Sequence, residues 1–440
     1  MKTALEERSR NCTSLPALRG AVAIPRLSRM DILFVTRWIP RDQGGGTQQR
    51  AAINLRAVAA CGRAHLLYLD DGPCVLDLEL GARVATVTTL SPAMAGRRAA
   101  FSFLGRSGLW GRLFRSAWGM SGLIARPSAD EARAIRATLP LPRFDAICAF
   151  HLGSACVADA LGVLRFGGRQ TIDWDFLESS NVLPWMQAQR ASTSVWRTAV
   201  GHFNRLKVQR LEARILKSWD AHFCSSTMDV DIIKQRSRSR HVYSINNAVA
   251  VPDPRPAPSG SLRPTAIFVG TMAYWPNLDA ILHFIDRIWP SVRRALPAAE
   301  LLIVGRAAPS ELACWQGQQG IEVFSNVPRL QPFYERAHVA IAPLRFAVGS
   351  NLKIPEAMAH ARPVVGYRRA CERHALDQSQ GVFSVDGEQS FAAVLIRLLE
   401  APELSARYGE AAYRSAHESY SRPDIEKAMA NLLLTRLLPN

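Results

Sequence analysis

The chain has 440 residues, of which 48% are hydrophobic and 21% are charged, a composition typical of globular proteins. That length exceeds what one hydrophobic core ordinarily serves, so we predict at least two domains. No apolar run reaches the ~18 residues that a membrane-spanning helix requires. Residues 1–29 also lack the continuous apolar stretch of a secretory signal.

The formal net charge is +17, from 54 Lys and Arg against 37 Asp and Glu. Such an excess is compatible with nucleic acid, an anionic membrane or an anionic small substrate. The chain has no zinc finger and no aromatic-interleaved RNA-binding pattern, so we predict no nucleic-acid partner. The eight cysteines include no Cys-x-x-Cys pair, which predicts reduced thiols in a cytoplasmic protein.

Short apolar runs alternate with helical stretches from Met30 onward, after an aperiodic, Arg-rich leader (1–29) that we predict to be disordered. This alternation predicts a parallel sheet in a first domain spanning 30–250. Helices are predicted at 47–61, 155–165 and 195–218. Strands are predicted at 31–36, 64–69, 83–90, 144–150, 170–174, 221–226 and 241–247.

Residues 251–264 contain five prolines and predict a linker. The strand and helix alternation then restarts in a second domain (265–420), and an amphipathic segment (421–440) is predicted to cross back to the first. Its strands are predicted at 265–270, 300–305, 321–327, 339–344, 362–367 and 381–385. The fold class is therefore α/β, with two Rossmann-like parallel-sheet domains whose strands point their carboxyl ends into a shared, ligand-binding cleft.

A glycine-rich loop, "GGGTQQR", follows the first strand and opens a helix. Gly45 and Gly46 let the backbone approach a ligand closely, and the helix start favours an anion. The loop matches neither GxGxxG nor GxxxxGK[ST], so neither dinucleotide nor P-loop binding is predicted. A flexible loop before a helix is the alternative.

Polar side chains also follow two later strands of the first domain. His151 comes after strand 144–150, where it can hydrogen-bond a sugar hydroxyl or serve as a structural histidine. Asp173, Asp175 and Glu178 lie in "DWDFLES", whose Asp-x-Asp pattern suggests a metal ion. We favour contacts to the hydroxyls of an acceptor instead, and predict no metal site.

The segment 95–126 is basic and contains five aromatic side chains, Phe101, Phe103, Trp110, Phe114 and Trp118. Basic residues interspersed with aromatics predict peripheral contact with an anionic membrane. A mobile excursion on the acceptor side of the first domain is the alternative.

The stretch "RFAVGSNLKIPEAMA" joins strand 339–344 to a short helix. Pro355 is tolerated only in the first helical turn, and a polar residue before it, Ser350 or Asn351, is predicted to cap the helix. Arg345 and Lys353 add positive charge, which predicts a diphosphate site.

Glu356 lies in the same helical turn as Lys353, but its negative charge would repel a diphosphate. Its carboxylate can accept hydrogen bonds from a vicinal diol, as on a ribose. Diphosphate and ribose together describe a nucleotide. The alternative is a surface ion pair between Lys353 and Glu356.

Several blocks resemble family 4 glycosyltransferases of the GT-B fold, chiefly "FVGTMAYWPNLDAILHFIDRIWP", "ELLIVG", "VFSNVPRLQPFYERAHVAIAPL" and "GSNLKIPEAMAHARPVV". In the first half, "GGGTQQR", "DWDFLES" and "RLEARILKSWDAHFCSS" resemble sugar transferases of bacterial exopolysaccharide loci. The resemblance covers residues from about 30 to 435, and its most specific part is the EAMA…PVV block.

The resemblance implies a retaining, metal-independent transfer of sugar from a nucleotide-diphosphate donor to a glycan or lipid-linked acceptor, with no cofactor besides the nucleotide sugar. It implies that Glu356 contacts the donor ribose and that Lys353 holds the diphosphate. Gly45 and Gly46 are expected near the phosphates and His151 near the donor sugar. Gly270, which ends the first strand of the second domain, is expected on the donor side.

Two departures from the family pattern bear on the donor sugar. The first acid of the E-x7-E motif falls at Val348, so its role is expected to pass to the backbone of 349–352. The usual Arg and Lys after the strand at 265–270 are replaced by "GTMAYWPN", and Arg345 is expected to compensate. An inactive GT-B scaffold or a GT-B-fold epimerase are the alternatives, and the expected location is the cytoplasm, at the inner face of the plasma membrane.

Overall fold

The computed structural model describes residues 30–70, 73–90, 127–179, 195–306, 310–346, 349 and 351–437. The predicted leader, the basic segment 95–126, Val348 and Ser350 lie outside these residues. Within them, no helix is long and apolar enough to cross a membrane, and none of the cysteines forms a disulfide.

The first sheet has seven parallel strands in the order β3-β2-β1-β4-β5-β6-β7. Every strand predicted in this half is present, with ends shifted by a few residues except at β5. The strands are β1 (Asp31–Thr36), β2 (Arg63–Tyr68), β3 (Val84–Thr89), β4 (Phe144–Phe150), β5 (Leu164–Asp173), β6 (Ala221–Cys224) and β7 (His241–Ser244).

Strand β5 begins six residues before the predicted start, and the helix predicted at 155–165 is wrong at both ends. That helix spans Leu152–Leu161, because Gly162 ends it in the left-handed conformation (φ 61°) that glycine adopts readily. Leu164 already pairs with Phe144, and the ladder between β4 and β5 then shifts register.

The second sheet has six parallel strands in the order β10-β9-β8-β11-β12-β13. All six predicted strands of this half are present. They are β8 (Thr265–Thr271), β9 (Glu300–Arg306), β10 (Ile321–Ser325), β11 (Val339–Ala342), β12 (Val364–Tyr367) and β13 (Val382–Val385).

Helices cover both sheets. Those of the first half are α1 (Gly46–Cys61), α2 (Leu78–Ala82), α3 (Ala129–Thr138), α4 (Leu152–Leu161), α5 (Val195–Ser218) and α6 (Thr227–Arg236). Those of the second half are α7 (Trp275–Arg287), α8 (Trp289–Ala295), α9 (Ser310–Ala313), α10 (Gln331–Arg336), α11 (Lys353–Ala359), α12 (Arg368–Cys371), α13 (Glu388–Glu400), α14 (Pro402–Tyr420) and α15 (Arg422–Leu437).

The strand order places a topological switch point in each sheet. In the first, β1 lies between β2 and β4, and in the second, β8 lies between β9 and β11. Loops at the carboxyl ends of such neighbouring strands diverge to opposite faces and leave a crevice that binds ligands. The crevices therefore lie beside Thr36 and Phe150 in the first sheet and beside Thr271 and Ala342 in the second.

The last helix, α15, joins the core of the first domain. Its buried side chains repeat every four residues, as a helix with one apolar stripe requires, and they pack with α1 and the first sheet. These side chains are Ile425, Met429, Leu433 and Leu437. A bridge between Val249 and Ser421 lies where the chain returns from the second domain.

We expect Met429→Ala to destabilise the first domain by about 2–5 kcal/mol, because the side chain is 1% exposed and its removal leaves a cavity. Lys427→Ala, at an exposed position two residues earlier, is the control. Urea denaturation measures both changes, and equal stabilities of the two variants would contradict the packing described.

Candidate functional site

The predicted donor-binding stretches of the two domains touch each other across the cleft. A Cβ on Gly46, at the start of α1, would lie 2.6 Å from Leu352 Cδ1, so a side chain there would displace Leu352. A Cβ on Gly349, whose φ is 67°, would lie 3.1 Å from Phe176 Cδ1. Gly45, by contrast, has open space where a side chain would be. The structure thus brings Gly46 of the glycine loop to Leu352, and Gly349 to Phe176, at the cleft.

Lys353 begins α11, and its half-buried side chain packs against the second domain. Its Nζ donates to Asn277 Oδ1 at 2.7 Å and lies 4.2 Å from the centre of the Phe268 ring. Burial lowers the pKa of Lys353 to about 7, and the nearby Glu356 carboxylate opposes that shift. The ammonium is therefore positioned by an amide oxygen and an aromatic face, and at neutral pH it is close to losing its proton.

Asn277 was not predicted from the sequence. It lies on α7, and its Nδ2 donates to the Thr271 carbonyl at 3.0 Å. A Cβ on Gly270 would lie 2.9 Å from Asn277 Nδ2. Because Gly270 has no side chain, the asparagine that holds Lys353 fits beside it. Gly270 therefore has an indirect role on the donor side.

Glu356 lies three residues after Lys353, and its Oε2 is 3.5 Å from the Tyr334 hydroxyl. Burial raises the pKa of Glu356 to about 7, while Tyr334 and Lys353 act in the opposite direction. Among the described residues no ion pair joins Lys353 to Glu356, so the alternative of a surface pair is not supported. Groups displaced in this way from their usual pKa cluster at functional sites.

Two other predicted donor residues are engaged elsewhere. Arg345 forms a two-pronged pair with Asp279, at 3.1 and 2.5 Å, which neutralises its charge. Asn351 Nδ2 donates to the Ala370 carbonyl at 3.2 Å. The predicted capping by Ser350 or Asn351 is wrong, because α11 begins later and Leu352 occupies the N-cap without a side-chain hydrogen bond.

His151 lies at the switch point of the first domain, immediately after β4. It is 5% exposed, and its ring contacts those of Phe150 and Phe176. Its Nδ1 is 3.7 Å from Glu178 Oε1 and its Nε2 is 3.9 Å from Asp175 Oδ2. Within the described chain, Nε2 has no hydrogen-bond partner although it is buried, so it can bond a ligand.

The backbone of His151 is strained, with φ 69° and ψ 157°. This region is nearly exclusive to glycine, and side chains held there at a cost of ~1–3 kcal/mol tend to occur at functional sites. The His151 N–H donates to the Asp173 carbonyl at 2.8 Å, which helps to fix this conformation.

The carboxylate of Asp173 accepts hydrogen bonds from a buried network of polar side chains. Arg50 donates to its two oxygens at 2.7 and 3.0 Å, and Asn54 adds a bond of 2.7 Å. Asn247 donates to Asp175 Oδ1 at 3.2 Å. The sequence had not assigned Arg50 a role, although it ends the glycine-loop motif. In this structure Asp173 anchors the cleft wall and is not positioned to contact acceptor hydroxyls, whereas Asp175 and Glu178 flank His151.

Among the described residues, no group of three or more His, Cys, Asp or Glu side chains could hold a metal ion. The Asp-x-Asp pattern is accounted for by the network around Arg50.

Residues 263–401 match the family of glycosyl transferases group 1. The match covers less than half of the chain, but it contains Gly270, Asn277, Lys353 and Glu356. Among curated proteins, none matches this chain.

Solved structures show the same fold over almost the whole chain. Sucrose-phosphate synthase from Thermosynechococcus elongatus has a TM-score of 0.62 at 15% identity, covering 92% of this chain and 99% of that one. A TarM variant from S. aureus, solved with fondaparinux, alpha-GlcNAc-glycerol and UDP, has 0.61 at 10%, covering 92% and 99%. HepE from Anabaena, solved with UDP-glucose, has 0.58 at 12%, covering 92% and 100%. The predicted GT-B fold is confirmed.

We expect Glu356→Gln to melt at the same temperature as the wild type near pH 4 and at a higher one above pH 7. A carboxyl whose pKa is raised on folding loses stability as the pH rises from its unfolded value towards its folded value, and Gln removes that loss. Scanning calorimetry across this range measures it, with exposed Glu410→Gln as the control. If the melting temperatures of Glu356→Gln and the wild type changed with pH in the same way, the burial of the Glu356 carboxylate would be contradicted.

We expect His151→Gly to be more stable than His151→Ala, by ~1–3 kcal/mol, because only glycine relieves the backbone strain. His151 is the N-cap of α4, and glycine is also preferred to alanine at an ordinary N-cap, by about 1 kcal/mol or less, so a difference above that reports the strain. Denaturant titration of both variants gives the difference. A more stable Ala variant would show that the backbone at His151 is unstrained.

Proposed function

We propose that this protein is a retaining glycosyltransferase that moves a sugar from a nucleoside-diphosphate donor to a glycan or lipid-linked acceptor of a bacterial surface polysaccharide. One observation carries the proposal. Lys353 and Glu356, half-buried and with their pKa values displaced in opposite directions to about 7, lie at the switch point of the domain that matches the group 1 transferases.

The donor diphosphate is assigned to Lys353 and the donor ribose to Glu356. Because the two side chains are three residues apart on α11, they lie on the same face of the helix. A diphosphate at Lys353 therefore leaves the attached ribose near the carboxylate. Asn277 holds the amine in place through its 2.7 Å bond, and the backbone of Gly45 lies across the cleft with nothing in the way of a ligand.

Transfer of the sugar develops negative charge on the departing diphosphate. Preorganised positive charge in a water-poor site stabilises such a leaving group more effectively than the same charge in water. The Lys353 ammonium provides it, since Arg345 is already neutralised by Asp279. Binding of the diphosphate favours the protonated amine, which the empty, desolvated site disfavours.

His151 is assigned to the donor sugar on the opposite wall. Its unpartnered Nε2 can donate to or accept from a sugar hydroxyl, depending on the tautomer. Asp175 and Glu178 lie on either side of the imidazole and remain the proposed acceptor contacts. Asp173 is left out of this set, because Arg50 and Asn54 occupy its oxygens.

The choice of the nucleotide to test first follows from proteins that share this fold. TarM and HepE, which share this fold, were each solved with a uridine nucleotide, so UDP and UDP-sugars come first in a screen of nucleotide sugars by thermal shift. A bound nucleotide raises the apparent melting temperature because it binds only the folded chain.

We expect Glu356→Gln to bind the nucleoside diphosphate at least tenfold more weakly than the wild type. Each hydrogen bond to a charged acceptor contributes about 1.5–3 kcal/mol, and about 1.4 kcal/mol corresponds to a factor of ten in affinity. Isothermal titration calorimetry of both proteins, with Glu410→Gln as the control, measures this. Unchanged affinity would remove Glu356 from the site.

Release of free nucleoside diphosphate from the nucleotide sugar separates the alternatives. A transferase releases it in the presence of acceptor, a GT-B-fold epimerase returns an altered sugar, and an inactive scaffold does neither. We expect release to persist in EDTA, because the Asp-x-Asp carboxylates are engaged by Arg50 and Asn247. Loss of turnover in chelator that manganese restores would contradict a metal-independent mechanism.

A further inference from the structure

A cavity of about 380 Å³ opens in the first domain at the end opposite the cleft. It lies where β6 and β7 begin, whereas the cleft lies where the strands end. The chain around this cavity, here called the basic pocket, comes from β5, the end of α5, the segments before β6 and β7, and the end of α15. Its lining is Arg169, Lys217, Ser218, Trp219, Asp220, Ala221, Arg238, Ser239, Arg240, His241, Thr435 and Arg436.

Five of these side chains are basic and one, Asp220, is acidic. Asp220 lies 3.6 Å from Arg169 and partly neutralises it. Among the described residues no carboxylate pairs with Lys217, Arg238 or Arg240, all of which are exposed. Converging cations without counterions repel one another, so a bound anion would relieve that repulsion.

The remaining basic group, Arg436, is held in place. Its Nη1 is 2.9 Å from His241 Nδ1, and its guanidinium lies 5.9 Å from the centre of the Tyr243 ring. Burial first, and then Arg436 and Arg169, lower the pKa of His241. The histidine therefore stays neutral and positions Arg436 without cancelling its charge.

The other polar side chains of the lining are enclosed or already engaged. Trp219 is 2% exposed and belongs to the hydrophobic core of the first domain. The Ser218 hydroxyl donates to the Arg214 carbonyl at 2.9 Å, and the Thr435 hydroxyl donates to the Leu432 carbonyl at 2.8 Å. The basic side chains are therefore the principal side-chain donors that the basic pocket offers to an anion.

We propose that the basic pocket binds a phosphate group. Several cations, four of them with guanidinium forks, match a compact anion with several acceptor oxygens. The phosphate can belong to a soluble phosphate ester or to a phospholipid headgroup, since both present the same chemistry.

This site is separate from the donor site. Arg169 and Asp173 are four residues apart on β5, which corresponds to about 13 Å along an extended strand. Asp173 belongs to the cleft wall and Arg169 to the basic pocket. The proposal therefore stands or fails independently of the glycosyltransferase assignment.

Pyrophosphate is the soluble probe, titrated calorimetrically into the Lys353→Met protein so that the cleft does not contribute the same signal. The pocket variant is Arg238→Ser with Arg240→Ser, two exposed positions whose loss leaves the core intact. The control is Arg294→Ser with Arg397→Ser, which removes two exposed arginines from the second domain.

We expect pyrophosphate to bind at least tenfold more weakly to the pocket variant than to the control. Flotation with phosphatidylglycerol vesicles, and with phosphatidylcholine vesicles for comparison, tests the lipid source with the same variants. Binding in either arm that requires Arg238 and Arg240 supports the proposal and identifies the source. Absence of binding in both arms, or equal binding by the pocket variant and the control, would overturn it.

Discussion

The half-buried amine of Lys353 is the constraint on which the rest of the cleft depends. An ammonium partly removed from water is destabilised unless it is compensated. Within the described chain its contacts are the Asn277 amide oxygen and the face of Phe268, and the nearby Glu356 carboxylate also favours its charge. Asn277 reaches it only because Gly270 has no side chain. These contacts still leave the pKa of Lys353 lowered to about 7, so an anion bound beside it would supply further compensation.

On the opposite wall of the cleft, the charged side chains are paired with one another. Arg50 and Asp173 are both buried, but each is saturated with hydrogen bonds, including those from Asn54 and to Asn247. Removing one partner of such a pair is strongly destabilising, so its role is architectural. In the described part of this wall, Nε2 of His151 is buried without a hydrogen-bond partner, and a strained backbone presents it. Incomplete pairing, more than charge itself, marks His151 as a candidate functional residue and Asp173 as a structural one.

Periodicity was sufficient to predict every strand, because strands buried on both faces are short apolar runs. It failed at the start of β5, where the exposed sequence "LRFGGR" has neither apolar alternation nor β-branched residues. Lys353 and Glu356 could be identified because they share one helical turn. Asn277 and Arg50 could not, because their partners are 76 and 123 residues away in the chain. The hydrogen bonds that engage Asp173 could not be predicted for the same reason.

The most direct test of the central claim is the number of protons taken up when the nucleoside diphosphate binds. Calorimetric titrations at pH 8 in two buffers of different ionisation enthalpy provide it. With a pKa of about 7 in the free protein, Lys353 is largely neutral at pH 8 and must gain a proton to hold the diphosphate. We predict an uptake approaching one proton in the wild type and none in Lys353→Arg, whose guanidinium is always charged. Tight binding by the wild type without proton uptake would contradict the account.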